Sequence, residues 1–336
     1  MPRRLTNLLL YLLVVAEVAT GILGWLLPEA RALPLYDLHR LFGTALVLLL
    51  FWKQVVVRSS LRRRLGRGHA DRSVLVGALT GLALLGTLGL GLAWTLQLVS
   101  FDALWGYSPL NIHVFLALGT LPLLLWHLLR RRERGSLAKD LATRRSALRL
   151  VGLSIGALFA WQAFERVADA RAAAGSRRAS GSKHAGSFSG NDFPVTIWQL
   201  DRIPGLDPAT WRLGVGGRVA VPASLSYADL DALESREMTT VIDCTGGWWS
   251  EQVWQGVSVG DVLAASGVAA GASAVEVVSV TGHHWTFPLD ELRGALLATR
   301  VGGETLTPGH GYPVRLVAPG RRGFQWIKWV DRLEVI

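Results

Sequence analysis

The chain has 336 residues, half of them apolar, and a single cysteine. That length accommodates two domains, and a mean hydropathy of +0.33 is high for a soluble protein and points to membrane spans. One cysteine excludes an internal disulfide framework, which leaves an inert buried thiol, a link to another chain, or a reactive or metal-binding group. The formal charge of +10 fits nucleic acid or a membrane, and the placement of the charges decides between them.

Five apolar runs come first: Leu5–Leu27, Leu38–Val57, Val74–Val99, Asn111–Leu129 and Ala147–Phe164. Each is near the roughly 20 residues that a helix needs to cross a bilayer core. No small-residue cleavage site follows the first, and four more runs do, so it reads as a retained anchor. Arginines crowd the start of the chain, Arg58–Arg72 and Arg130–Arg149, whereas Pro28–Asp37 and Ser100–Leu110 carry one between them. Positive connections stay in the cytoplasm. The expected topology is therefore a multi-pass protein of the cytoplasmic membrane, N-terminus inside, with everything after Phe164 outside. The basic charge marks cytoplasmic loops, lipid is the surrounding partner, and no nucleic-acid partner is expected.

Ionisable residues inside spans are functional suspects. His39 opens the second run and His113 the fourth, both at the outer side. Two imidazoles from facing helices at matched depth are what a b-type haem requires; two interfacial histidines bonded to headgroups or water are the alternative. His127 lies fourteen residues past His113, about 21 Å along the axis. The residue fourteen past His39 is Lys53. A second haem at His127 is therefore not expected, and an interfacial role near a quinone is preferred. The paired histidines make Leu38–Leu129 resemble a cytochrome b561-like or ferric-reductase-like membrane domain.

After Phe164 the chain is rich in Ala, Gly and Ser, which is linker chemistry. The expected division is a transmembrane helical domain at 1–165, a linker at 166–190 and a soluble domain at 191–336. The soluble part reads as α+β, mainly β: "TWRLGVGGRVAV", "AVEVVSV" and "YPVRLVAP" are strand-like, "SYADLDALES" and "PLDELRGALLA" helical, with Ser226 as an N-cap.

In this half "GSFSGNDFPVTIW", "WRLGVGGRVAVPASLSYADL", "VIDCTGGWWSEQVWQGVSVGDVL", "VEVVSVTGH" and "HGYPVRLVAPGRRGFQWIKWVDRLEV" follow one another. Together they resemble the sulfite oxidase family of molybdopterin oxidoreductases, which includes the catalytic subunit of periplasmic methionine sulfoxide reductase. The resemblance implies that Cys244 binds molybdenum beside a pterin dithiolene. It also implies that Asn191, Ser279, His310, Arg315, Trp326, Ile327 and Lys328 line the pterin. A soft thiolate suits such a metal, and a planar guanidinium suits a phosphate. Sulfite-oxidising members place arginines near the cysteine. Here Thr245–Ser250 holds none, and an aromatic, neutral mouth at Trp248 and Trp249 suits an uncharged sulfoxide or N-oxide. His283 and His284 are candidates for proton transfer. The family's dimerisation domain is not expected after "DRLEVI".

These readings join in one expectation: a membrane-anchored molybdopterin-dependent oxidoreductase performing oxygen-atom transfer outside the membrane, with electrons relayed through one haem b and exchanged with a quinone or other membrane carrier. Arg144–Arg145 before a moderately apolar stretch resembles an internal twin-arginine export signal. The rival expectations are a cofactor-free binding or adaptor domain on a membrane anchor, and a haem-b electron-transfer protein without molybdenum chemistry.

Overall fold

The structure, a computed structural model, describes residues 3–65, 72–101, 104, 107–130, 143–172, 176–197 and 201–336. Much of the two arginine-rich connections lies outside the described residues. The chain forms two compact units: Met1–Leu27 with Arg31–Gly181, and Pro28–Ala30 with Ser182–Ile336.

The first unit is helical: α1 (Arg3–Leu26), α2 (Glu29–Leu65), α3 (Arg72–Thr95), α4 (Pro109–Arg130) and α5 (Arg144–Arg171). All five are long and apolar enough to cross a membrane. Two boundaries differ from the sequence reading. The stretch expected to be the first outer loop is helical from Glu29. Pro34 lies inside this 37-residue helix, past its first turn, where it removes one backbone donor without ending the helix. The expected linker also begins as helix, because its alanines favour helical backbone and α5 continues to Arg171. Arg177 then folds back to pair with Glu165 and Asp169, each at 3.0 Å.

The second unit is built on two sheets. One runs β1 (Lys183–His184), β5 (Trp248–Ser258), β8 (Leu296–Val301), β10 (Arg315–Val317), with β4 (Arg236–Asp243) on β5 and β9 (Glu304–Thr305) on β8. The other runs β3 (Ala223–Ser226), β2 (Arg212–Gly217), β11 (Val330–Val335), β6 (Ala274–Ser279), β7 (His284–Pro288). Short helices α6 (Tyr227–Ala232), α7 (Val259–Ser266) and α8 (Leu289–Leu292) cross between strands. Ser226 caps α6, and a capping box with Asp229 completes the start. Strand β5 alternates buried and half-buried residues, as a strand with one core face must. "ALLA", expected to be helical, falls mostly in β8, whose leucines are buried. The run expected to be linker also contributes to this unit, since Lys183 and His184 pair in parallel with Trp248 and Trp249.

Candidate functional site

Cys244 sits in the tight turn between β4 and β5. The turn closes through Cys244 N–H to Trp248 O (2.8 Å) and Gly247 N–H to Cys244 O (3.0 Å). Gly247 takes a φ of +95°, a region open to glycine. The side chain is buried, at 5 % exposure. Two donors meet its sulfur: Gly246 N–H at 3.3 Å and the Thr196 hydroxyl. Thr196 Oγ1 accepts from Trp248 Nε1–H at 2.8 Å, which leaves its own proton for the sulfur. Burial raises the pKa of this thiol, and the backbone donor, Thr196, Arg322 and Lys328 oppose the rise.

The turn is held from below by a second loop. Arg322 Nη1 pairs with Asp243 Oδ1 at 2.7 Å, both side chains almost wholly buried, and Arg322 Nη2 donates to Cys244 O at 3.3 Å. Ser182 Oγ donates to the same Asp243 oxygen at 2.6 Å. Gly323 permits the approach, since a Cβ there would lie 2.9 Å from Cys244 Cα.

Two further cations act on the thiol. Arg315 is 1 % exposed; Nη1 donates to His310 O at 3.1 Å, while Nε and Nη2 are buried without a hydrogen-bond partner among the described residues. Its guanidinium lies 4.9 Å from the Trp254 ring centre and 5.8 Å from that of Trp326. Burial lowers its pKa to about 9, and Cys244 partly opposes this. Lys328 Nζ donates to Thr196 O (2.9 Å) and Gly309 O (2.6 Å); burial and then Arg315 lower its pKa to about 7. Orphaned donors on buried cations beside a thiol are the complement of an anionic organic group. Among the described residues no three His, Cys, Asp or Glu side chains converge on a common point. A metal at Cys244 would therefore take most of its ligands from such a group, and the donor set fits a pterin with its phosphate.

The other expected residues are placed differently. His310 is buried against Phe193, ring centres 4.1 Å apart; Nε2 donates to Phe193 O and Nδ1 accepts from Thr307 Oγ1. Burial and then Arg315 lower its pKa to about 4, so it is neutral and holds Arg315 through its carbonyl. Asn191 uses its amide on Glu304, Thr305 O and Thr307 N–H, clipping the segment that leads to His310. Ser279 bonds Thr281 at the end of β6. His283 bonds Phe324 O, and His284 is exposed near Glu276. Trp326 and Ile327 are core, with Trp326 Nε1 on Arg321 O. Trp248 is not at a mouth: it is 2 % exposed, faces Phe193 and serves Thr196. Sequence reasoning missed Thr196, Asp243, Arg322 and Ser182. Only the position of Asp243 beside Cys244 marked any of them.

In the helical unit His39 and His113 meet, ring centres 6.1 Å apart and planes at 85°. A metal held between two imidazole nitrogens at about 2.0–2.1 Å each puts the ring centres roughly 6 Å apart. His39 Nδ1 faces three acceptors: Glu17 Oε2 (2.8 Å), Glu17 O (3.1 Å) and Thr20 Oγ1 (3.1 Å), whose proton goes to Ala16 O. His113 Nδ1 faces Thr87 O at 2.8 Å. Both Nδ1 atoms therefore carry protons, and in the neutral imidazole this leaves the lone pair on Nε2. Each ring rests on a glycine of the preceding helix; a Cβ at Gly21 or Gly91 would come within 3.2 or 3.1 Å of it. The cavity beside the two rings, about 120 Å³, is also lined by Glu17, Tyr36, Arg40 and Arg177. Two imidazole lone pairs in one cavity fit a haem iron.

His127 rests on Gly77 in the same way, with both residues fourteen positions from His113 and Gly91. The corresponding positions of the first hairpin are Lys53 and Asn7, and these two bond each other. That level of the bundle thus offers one imidazole and one amine.

Residues 200–336 match the family model described as "Oxidoreductase molybdopterin binding domain". The chain is 36 % identical over 131 residues to the uncharacterized oxidoreductase YuiH of Bacillus subtilis (strain 168), covering 38 % of this chain and 66 % of that one. It is 31 % identical over 180 residues to mitochondrial sulfite oxidase of Macaca fascicularis (44 % and 32 % covered). It is 29 % identical over 168 residues to a nitrate reductase [NAD(P)H] of Hordeum vulgare (40 % and 19 % covered). The chain thus spans just under two thirds of the first relative and a third or less of the other two. Thiol turn, buried cations and family match coincide in one place: the C-terminal unit carries a molybdopterin-binding oxidoreductase domain of the sulfite oxidase family.

Proposed function

We propose that the chain is a membrane-anchored molybdenum oxidoreductase that transfers an oxygen atom to or from a small, uncharged substrate outside the cytoplasmic membrane. The observation that carries the reading is the pair of unpartnered guanidinium nitrogens of Arg315, buried beside Cys244 and Lys328. When bound, a molybdenum–pterin group supplies two-electron oxygen-atom chemistry, and a haem supplies single-electron transfer. Cys244 would hold the molybdenum through its sulfur, kept in place by Gly246 and Thr196. Arg315 and Lys328 would hold the pterin phosphate, with His310 fixing Arg315. His39 and His113 would hold the haem iron.

Substrate charge follows from what remains. Arg322 is neutralised by Asp243, and Arg315 and Lys328 are committed to the phosphate. None of these three cations is then left for a substrate anion, which favours a sulfoxide or N-oxide. A quinone is the proposed membrane electron carrier, and the Arg144–Arg145 pair the proposed export signal. Elemental and pterin analysis of the purified chain tests the reading. About one molybdenum and one pterin per chain are expected, with molybdenum lost in Cys244→Ser. A folded protein without either would overturn it.

A further inference from the structure

We propose that Glu17 sets the electron affinity of the His39–His113 haem site and so fixes the direction of electron flow, from haem to the molybdenum unit; the enzyme is then a reductase. This rests on the haem reading given above.

The two imidazoles have unequal partners. His113 donates to a neutral carbonyl, Thr87 O, whereas His39 donates to the Glu17 carboxylate. A carboxylate partner makes the imidazole a stronger electron donor to its metal. The second carboxylate oxygen, Glu17 Oε1, is buried without a hydrogen-bond partner among the described residues. Gly43 leaves it bare, since a Cβ there would lie 3.2 Å away. Nearby cations are spent elsewhere: Arg40 on Asp37, Glu165 and Ala179 O, and Arg177 on Glu165 and Asp169. Among the described residues, the acids Asp37, Glu165, Asp169 and Glu17 stand around these two arginines, and of the four only Glu17 has no arginine partner.

A ferric haem iron held by His39 and His113 as neutral imidazoles would carry, with its porphyrin dianion, one net positive charge; the ferrous form would carry none. The bare carboxylate therefore favours the ferric form, and the site gives up its electron readily. Such a site feeds an acceptor and is poorly placed to draw electrons out of a substrate. Two single-electron passages balance one turnover: a sulfoxide takes two electrons and two protons, its S–O bond breaks, and a sulfide and water leave. A quinol, oxidised to a quinone, releases the same two electrons and two protons.

The test is a redox titration of the haem absorbance of the full chain in detergent. In Glu17→Gln the reduced-to-oxidised ratio at fixed potential should rise at least tenfold, 59 mV for a one-electron couple. Gly43→Ser, which brings a hydroxyl to Glu17 Oε1, should shift it the same way by less, and it carries the test if Glu17→Gln loses its haem. Dimethyl sulfoxide should re-oxidise the pre-reduced wild-type haem, and sulfite should fail to reduce the oxidised one. Titrations identical to wild type with intact haem spectra would overturn the proposal, as would haem reduction by sulfite. A wild-type chain with no haem band would overturn the haem reading itself, and this inference with it.

Discussion

Burying Arg315 costs free energy that protein contacts alone do not recover, because two of its donors have no partner and its remaining contacts are one carbonyl and two indole faces. Replacing a buried, under-paired cation with an apolar side chain of similar length is neutral or stabilising. Arg315→Met should therefore raise the stability of the cofactor-free chain by about 1–3 kcal/mol in denaturant unfolding. The same change should lower pterin content at least tenfold. Lys328 gives a pH signature. Its folded pKa is lowered to about 7, whereas an unfolded lysine titrates near 10.4. From about pH 7 to 10 the unfolded chain holds more protons, so cofactor-free stability should rise with pH across that window and level off below it. Unfolding followed by tryptophan fluorescence reads this, and Lys328→Met should flatten the profile. At this scale the sequence was partly legible. Cys244 stands out as the lone thiol, and Arg315 and Lys328 through a resemblance. Thr196, Arg322 and Ser182 reach Cys244 from 48, 78 and 62 residues away, and no local pattern encodes contacts of that range.

Single elements do their work by close approach. The β4–β5 turn and the 322–323 loop meet only because position 323 lacks a Cβ. Gly323→Ala should destabilise the chain by about 1–3 kcal/mol, as overpacking does, and reduce molybdenum content along with stability. The same device recurs in the helices, where Gly91 makes room for the His113 ring. Gly91→Val should abolish the haem absorbance band while circular dichroism shows the helices intact. Helix number followed from the apolar runs, and the His39–His113 meeting from their shared depth. The glycine seats did not, because a glycine in an apolar run reads only as a weak helix former until its neighbour is known. Helix ends were the least legible: the alanines after Phe164 suit a linker by composition and a helix by propensity, and propensity won through Arg171.

Across the whole molecule the two units carry separate cores. A fragment of residues 182–336 should accordingly fold and bind molybdenum without haem, as metal analysis and an absorbance spectrum would show. In the full chain, replacing Arg144 and Arg145 with lysine should leave the C-terminal unit inside the cell while α1–α4 still insert. Protease access from outside reads that outcome; undiminished cleavage from outside would rule out twin-arginine export.

Ser182 has a practical corollary for anyone cutting this gene. The recognisable domain starts at residue 200, yet the hydroxyl that steadies Asp243, and with it the backbone of Cys244, comes from eighteen positions upstream. A clone trimmed to the homology boundary would discard a strut of the metal-binding turn together with strand β1, and its inactivity would say nothing about the enzyme.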